Sequence, residues 1–402
     1  MSQTAIKLII VFLPGEWKTY HRRPHWEAVS LQIPILAIAP PVDLLTLWRH
    51  PKRLVRAIAS GRRTGPDTYN VSFFRPYTTL SWGLGYRLPW FAERDRRMVR
   101  AQLKRKLDTL QIDLSQCAFA VTDLYQAHLV GLFEEAVNIY EATDTYLLPP
   151  EDEDKPPDSP HVKRAAQAER RILSNTELVV ASSRTLHDEL RQQHDNVHYL
   201  RNCADFSFFS RQAPAEPTDL AQIERPRIGF AGMINDLLDY DLLASLAEEH
   251  PNWQFVMVGP DRTSGKVKTS EACRRFCTAD NVHFLGRKPY EELPSYYHSF
   301  DLCLLPYRLN RWMHYSCPNK IFQYAAAGRP IVSTAFAEAK QFSDVLYVCD
   351  SKGKFIAAVE KVLKIPDKKR IEAGQELARE NSTENRARRM VELIEQAGAS
   401  RA

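Results

Sequence analysis

Lys320 is the residue whose type and position most clearly suggest chemistry, because it closely follows Pro318 at the start of a predicted helix. The preceding run predicts a strand that ends at Pro306, and the helix is predicted to end at Gly328, before a strand that begins at Ile331. In the first turn of that helix, the Lys320 ammonium group and the free backbone N–H groups favour an anion such as a diphosphate. Taken alone, a lysine at a helix start is more often an exposed cation than a phosphate ligand.

Gln323 lies three residues after Lys320 and therefore shares its face of the helix, where an amide can hydrogen-bond a ribose or a base edge. Met233, Arg287 and Tyr307 each follow the end of a predicted strand, which makes them candidates for contact with a base. Core packing is the competing interpretation for Met233 and Tyr307.

The elements that must position these residues are short β-branched runs that alternate with helical stretches. Six strands are predicted in the first half, at 6–13, 34–39, 118–121, 137–141, 178–182 and 197–200. Six more are predicted in the second half, at 227–231, 253–258, 282–285, 302–305, 331–334 and 346–349. Two such sets predict an α/β chain with two Rossmann-like, doubly wound domains.

The polar, proline-containing stretch 211–226 separates the two sets of strands and predicts a linker. We therefore expect an N-terminal acceptor-binding domain over 1–215 and a C-terminal nucleotide-binding domain over 216–375. The stretch from Asp367 to about Gln396 predicts charged helices with an apolar seam that includes Leu377, Ala387, Met390, Leu393 and Ile394. A C-terminal helix over 376–402 is expected to pack back on the N-terminal domain. The acidic, proline-rich stretch 149–160 predicts a mobile loop.

The composition excludes disorder as a whole, since 44% of the 402 residues are hydrophobic and 26% are charged. The seven cysteines are scattered without a C-x-x-C pair, which argues against a disulfide framework or a zinc site and favours a reducing cytoplasm. No run reaches the 18–20 or so uncharged apolar residues that a membrane span needs. We expect a cytoplasmic protein without a bound metal.

The net charge of +5 is unevenly distributed along the chain. Residues 49–106 contain 15 Lys/Arg against three acidic residues, interleaved with the aromatic residues Trp48, Trp82, Tyr86, Trp90 and Phe91 at or near this segment. This mixture suits peripheral association with an anionic membrane, on its cytoplasmic face. Nucleic acid is a competing partner, but the segment has no recognisable recognition helix or RNP-like pattern. A solvated basic helix face is the third interpretation.

The segment from Pro318 to Thr334 resembles the sugar-nucleotide segment of GT-B glycosyltransferases, which commonly reads P-x-K-x-x-E-Y-x-A-x-G-x-P-V-V. Arg23-Pro24-His25 after the first strand and Leu200-Arg-Asn-Cys-Ala-Asp-Phe-Ser-Phe-Phe209 are similar to teichuronic-acid-type glycosyltransferases. The resemblance implies two Rossmann-like domains facing a cleft and a nucleoside diphosphate sugar, UDP-linked, as donor. The donor-binding residues that it implies, together with the candidates above, are Gly232, Met233, Arg287, Tyr307, Asn319, Lys320 and Gln323.

The chain departs from the common pattern of the retaining members at two places. They often carry Glu at the position of Gln323, and they carry Arg and Lys where this chain has Asn235, Asp236 and Asp239. The Lys-x-x-Gln-Tyr pattern is similar instead to the inverting glucuronosyltransferase of xanthan assembly. That resemblance implies a catalytic aspartate in Tyr140-Glu-Ala-Thr-Asp144, with Asp144 as the general base. The alternative is that Asp144 only caps a turn.

Acceptor-side candidates are Glu16 and His25, which follow the first strand, and His128, which follows the strand that ends near Val121. A lone histidine is more often structural or simply exposed. The resemblance implies a metal-independent hexosyl- or glucuronosyltransferase, without a bound cofactor, acting on a glycan or lipid-linked acceptor in polysaccharide synthesis. A non-catalytic GT-B module that binds a sugar nucleotide or a partner chain is the alternative.

Overall fold

The computed structural model describes residues 5–17, 20, 22–43, 70–79, 88–145, 159–211 and 215–401. The chain divides into two units. The first contains the described residues up to Thr145 together with 159–201 and 383–401, and the second contains Asn202–Ser382. Most of the predicted loop at 149–160 lies outside the described residues.

The division between the units falls after Arg201, upstream of the predicted boundary at 215/216. The reason is that Phe209 and Leu220, on either side of the predicted boundary, are both buried in the hydrophobic core of the second unit. The apolar seam predicted for the C-terminal helices is divided between the two units. Leu377 packs against the core of the second unit, whereas Met390 and Ile394 belong to the core of the first.

The first unit is built on a parallel seven-stranded sheet with the order β4-β2-β1-β6-β7-β8-β9. Its strands are β1 (Leu8–Phe12), β2 (Ile35–Ile38), β4 (Val71–Phe74), β6 (Cys117–Val121), β7 (Val137–Ala142), β8 (Leu178–Ala181) and β9 (Val197–Tyr199). A separate two-stranded pair consists of β3 (Val42–Asp43) and β5 (Tyr77–Thr78). The residues of β1, β2, β6, β7 and β8 are buried throughout, as expected for a parallel sheet covered on both faces.

The helices of the first unit are α1 (Arg23–Ser30), α2 (Pro89–Leu110), α3 (Pro160–Leu173), α4 (Arg184–Leu190) and α15 (Thr383–Ala399). On α2, Val99, Leu103 and Leu107 are buried at helical spacing. On α15, Ala387, Met390 and Ile394 join the core that contains Ile9 of β1. Helix α15 therefore belongs to the first unit.

The second unit is built on a parallel six-stranded sheet with the order β12-β11-β10-β13-β14-β15. Its strands are β10 (Arg227–Ala231), β11 (Gln254–Val258), β12 (Val282–Gly286), β13 (Leu302–Leu305), β14 (Ile331–Thr334) and β15 (Tyr347–Cys349). Numbered within the unit, this is the Rossmann order 3-2-1-4-5-6, which reverses direction between β10 and β13. A ligand is expected outside the carboxyl ends of the strands at this reversal.

The helices of the second unit are α5 (Phe206–Ser210), α6 (Tyr240–Glu249), α7 (Gly265–Lys268), α8 (Glu271–Cys277), α9 (Leu293–Ser299), α10 (Arg311–His314), α11 (Lys320–Ala326), α12 (Ala337–Lys340), α13 (Lys352–Lys364) and α14 (Lys368–Glu380). The prediction of two Rossmann-like units is confirmed, and all the predicted strands are present. Strand β4 was missed, because this half-buried edge strand has no continuous apolar run.

Among the described residues, no helix has both the length and the hydrophobicity needed to cross a bilayer. The described part of the chain also contains no group of three or more His, Cys, Asp or Glu side chains arranged to hold a metal ion.

Candidate functional site

Two glycines bring the backbone of the second unit into close contact at the carboxyl ends of β10 and β11. Gly232 donates its N–H to the Val258 carbonyl at 2.8 Å, and Gly259 donates to the Gly286 carbonyl at 2.8 Å. Gly259 has a φ of +145°, and a Cβ atom there would lie 1.8 Å from the Gly232 carbonyl oxygen. Only glycine fits at position 259, so the backbone itself forms the floor of the site.

Lys320 lies directly over this floor. A Cβ atom on Gly232 would stand 2.1 Å from Lys320 Cε and 2.4 Å from its Nζ, so the lysine side chain occupies the space that the glycine leaves open. The ammonium group also lies 5.4 Å from the centre of the Phe230 ring. Lys320 forms no ion pair with any residue that the structure describes, which leaves its charge available to an anion.

Lys320 begins α11, as the sequence predicted, and the helix ends before Gly328, whose φ is +65°. Asn319 precedes the helix but does not cap it with its side chain, and its Oδ1 atom is buried without a hydrogen-bond partner. Lys320 is thus the first residue of a short helix of seven residues. The position of the Lys320 side chain therefore depends on the open space over Gly232 as well as on the start of the helix.

Gln323 is half-buried one turn further along α11, where its Oε1 atom accepts a hydrogen bond from the Tyr297 hydroxyl at 3.2 Å. The sequence identified Gln323 but missed Tyr297, which lies on α9. It also missed Phe230 and Gly259 as parts of the site. The signal for Gly259 was present in the Val-Gly-Pro ending of β11, whereas nothing in the local sequence distinguishes Tyr297 from its neighbour Tyr296.

The three residues predicted near a base have different environments. Tyr307 is buried between Phe230 and Phe336, with ring centroids 6.3 and 5.9 Å away, so its ring packs in the core below Lys320. Met233 follows Gly232 and is 53% exposed. Arg287 is exposed immediately after Gly286. Met233 and Arg287 are therefore accessible at the edge of the sheet, while Tyr307 supports it from within.

Asp236 and Asp239 stand where retaining glycosyltransferases carry basic residues, and both form hydrogen bonds with nearby backbone N–H groups. Asp236 accepts a hydrogen bond from the Ser264 N–H at 2.8 Å, and Asp239 caps α6 by accepting from the Leu242 N–H at 3.0 Å. These two side chains stabilise the loops after β10 and β11.

Asp144 lies two residues beyond β7 in the first unit and is half-buried. The residues on either side of it, Thr143 and Thr145, are buried. The Thr143 carbonyl accepts a hydrogen bond from Ser182 Oγ at 2.8 Å, which ties this segment to the end of β8. Asp144 therefore stands at the carboxyl edge of the first sheet, on a segment that neighbouring residues hold in place.

A buried charge cluster lies beside this edge. Glu141 of β7 accepts hydrogen bonds from Arg22 at 2.6 Å and from Arg386 of α15 at 2.9 Å, and all three side chains are at most 3% exposed. Arg386 also donates to the Arg201 carbonyl at 2.7 Å. The cluster joins the turn before α1, the centre of the sheet and the C-terminal helix.

The three acceptor-side candidates differ in the exposure of their side chains. His25 is 2% exposed, and its burial, together with the charges of Arg386 and Arg22, holds its pKa well below the usual value. Burial lowers the pKa of His128 to about 4, so both rings are neutral at pH 7. Glu16 is exposed and forms an ion pair with Arg75 at 2.8 Å. Of the three, only Glu16 is accessible in this structure.

Comparisons with known proteins show which proteins this chain resembles. Residues 225–364, which include Gly232, Gly259 and Lys320, match the family model described as glycosyl transferases group 1. The chain is 32% identical over 205 residues to TuaH of Bacillus subtilis strain 168, a protein named as a teichuronic acid biosynthesis glycosyltransferase; the match covers 49% of this chain and 51% of that one. The chain thus matches about half the length of this curated relative.

Solved structures show the same fold over nearly the whole chain. Sucrose-phosphate synthase from Thermosynechococcus elongatus superposes with a TM-score of 0.72 at 13% identity, over 98% of this chain and 100% of that one. Anabaena HepE, solved in complex with UDP, gives a TM-score of 0.62 at 13% identity, over 97% and 100% of the two chains. The chain therefore has the GT-B fold of two Rossmann-like units and is similar to glycosyltransferases of the teichuronic-acid type.

Proposed function

We propose that this chain is a glycosyltransferase that moves a sugar from a UDP-sugar to a glycan or lipid-linked acceptor in cell-surface polysaccharide synthesis. The observation that carries the proposal is the ammonium group of Lys320 seated over Gly232 at the topological reversal of the second sheet. A diphosphate is the expected ligand of a cation and an open glycine backbone at such a place. The TuaH relative and the UDP complex of HepE support the class of substrate.

In the proposed reaction, an acceptor hydroxyl attacks the anomeric carbon of the donor sugar while the bond from that carbon to the diphosphate oxygen breaks. The acceptor proton passes to the Asp144 carboxylate, which acts as general base at the carboxyl edge of the first sheet. Lys320 stabilises the negative charge that develops on the departing diphosphate, the role that a metal ion has in other transferases. The donor sugar is a hexose or a glucuronic acid, and the configuration at the anomeric carbon inverts.

We also propose peripheral association with an anionic membrane, on its cytoplasmic face, through the basic region 49–106. On α2, five basic side chains are exposed: Arg94, Arg97, Arg100, Lys104 and Arg105. Such side chains are attracted to anionic lipid headgroups. Residues 49–69 and 80–87 of this region lie outside the described residues.

The decisive experiment for the donor site is Lys320→Ala. Loss of a hydrogen bond between charged groups should weaken UDP binding by about 1.5–3 kcal/mol, measured by calorimetry. Gly232→Ala should weaken binding as well without removing the lysine, because its new methyl group displaces the Lys320 side chain.

The exposed Lys361→Ala on α13 serves as the matched control and should bind UDP like the parent chain. Unchanged UDP affinity in Lys320→Ala would refute the assignment of the donor site.

A further inference from the structure

The side-chain amide of Gln323 is held at one end only. Its Oε1 atom accepts the hydrogen bond from Tyr297, and its Nε2 group forms no hydrogen bond with any residue in the described part of the chain. Gln323 as a whole is half-buried, so its side chain is not enclosed in the core. The carbonyl end of the amide is therefore held by the protein, and the N–H₂ end is left to donate to another acceptor.

Tyr297 is well suited to fix this orientation. Its ring is fully buried and packs against Phe209, with centroids 5.4 Å apart, and against Tyr324, with centroids 5.0 Å apart. Burial raises the pKa of Tyr297 well above its usual value, so the hydroxyl keeps its proton and can donate it. A rigid donor at this place pairs with the carbonyl oxygen of an amide.

The orientation of the Gln323 amide determines which atoms of a ligand this face of α11 can bind. Gln323 and Lys320 lie three residues apart on α11 and share one face of the helix. With the amide oriented by Tyr297, this face presents two hydrogen-bond donors, the Lys320 ammonium and the Gln323 N–H₂ group. A glutamate at position 323 would present an acceptor and a negative charge instead.

We propose that Tyr297 is a positioning residue, which turns the Gln323 amide so that its N–H₂ group donates to an oxygen lone pair of the bound nucleotide. This inference rests on the proposed function of the second unit as the UDP-binding unit. Tyr297 does not touch the nucleotide in this scheme and acts through Gln323.

The test is a double-mutant cycle on UDP affinity with Tyr297→Phe, Gln323→Ala and the double variant. Tyr297→Phe keeps the buried ring and should bind UDP about 3–10-fold more weakly, the effect of one hydrogen bond. The double variant should bind like Gln323→Ala alone, within about 2-fold, because a residue that acts through Gln323 has no effect in its absence. Gln323→Glu should bind more weakly than the parent chain, since a carboxylate cannot donate.

Tyr296→Phe is the matched control on the same helix. The Tyr296 hydroxyl donates to Asp219 at 2.9 Å and takes no part in orienting Gln323, so UDP affinity should be unchanged. Thermal unfolding of Tyr297→Phe near that of the parent excludes a general loss of structure as the cause.

Three results would overturn the inference: parent-like binding in Tyr297→Phe, additive losses in the double variant, or parent-like binding in Gln323→Glu. Each of these leaves the proposed function standing if Lys320→Ala still loses affinity. Absence of UDP binding by the parent chain would overturn both.

Discussion

Charged side chains at the carboxyl ends of the two sheets have opposite surroundings. In the second unit, Lys320 lies over a glycine backbone and forms no ion pair with a described residue. In the first unit, Glu141 is buried between Arg22 and Arg386, and each arginine lies within 2.9 Å of the carboxylate. The charge of Lys320 is thus available to a ligand, whereas that of Glu141 is matched inside the protein.

This difference separates the binding role that we propose for Lys320 from the structural role of Glu141. A buried ion pair contributes little net stability compared with apolar packing, but loss of one partner is costly because the other charge remains buried. The Arg22–Glu141–Arg386 cluster joins residues that are far apart in the sequence, including the C-terminal helix α15, and so specifies one arrangement of the first unit. Lys320 can be removed at small structural cost, and its loss should appear in ligand binding.

The prediction with the largest expected effect tests whether Asp144, at the carboxyl edge of the first sheet, takes part in the reaction. Asp144→Asn keeps the shape and turn preference of the residue but cannot accept a proton, so sugar transfer should fall by roughly 10²–10⁴-fold while UDP affinity is unchanged. Both quantities are measured on the same preparation. Asp188→Asn, an exposed aspartate on α4, is the control.

Retained transfer in Asp144→Asn would mean that Asp144 only stabilises its turn. In that case Glu16, the accessible acceptor-side carboxylate, becomes the next candidate for the general base.

The second prediction tests the structural role of the buried cluster. Glu141→Gln removes the negative charge that Arg22 and Arg386 share in the core of the first unit, so the free energy of unfolding should fall by about 3–5 kcal/mol, measured by denaturant titration. Glu392→Gln removes the surface partner of Arg389 and should cost less than about 1 kcal/mol. An equally small change for Glu141→Gln would show that the cluster does not hold the first unit together.

The third prediction concerns a second buried carboxyl in the first unit, Glu169 of α3. Burial, reinforced by the charge of Glu189, raises the pKa of Glu169 to about 7. Because the folded protein holds this proton more tightly than the unfolded chain, the group destabilises the fold as pH rises from about 4.5 to 7. Glu169→Gln should therefore be more stable than the parent at pH 8 by about 1–3 kcal/mol.

The advantage of Glu169→Gln should shrink as pH falls from about 7 to 4.5 and disappear at about pH 3, where the parent carboxyl is protonated in both states. Urea unfolding at several pH values measures this difference, with the exposed Glu135→Gln as control. A stability difference that does not change with pH would contradict the raised pKa.

The smallest expected effect concerns the exposed basic side chains of α2. The protein should sediment with anionic vesicles at low salt and dissociate as salt screens the charges. Reversing two exposed charges, Arg97→Glu with Lys104→Glu, should weaken binding, since each basic group contributes about 1 kcal/mol near an anionic surface. Equal partition onto neutral and anionic vesicles would refute the membrane proposal, and preference for an oligonucleotide would favour nucleic acid.

Local sequence pattern was sufficient to predict much of this protein. The two sets of parallel strands are visible because buried strands must be continuously apolar, and the position of Lys320 is visible because Pro318 and Gly328 delimit its helix. These features depend on neighbouring residues, which a sequence displays directly. The half-buried edge strand β4 lacked such a signal.

The tertiary structure decided what these residues contact. Gly232 and Lys320 are far apart in the sequence, as are Tyr297 and Gln323 or Glu141 and Arg386, and no local pattern pairs them. The same holds for His25 and His128, which the sequence suggested as acceptor-side candidates and the fold buries as neutral rings. Periodicity reports which face of an element is apolar, but packing between distant elements determines which polar groups are buried and which remain accessible.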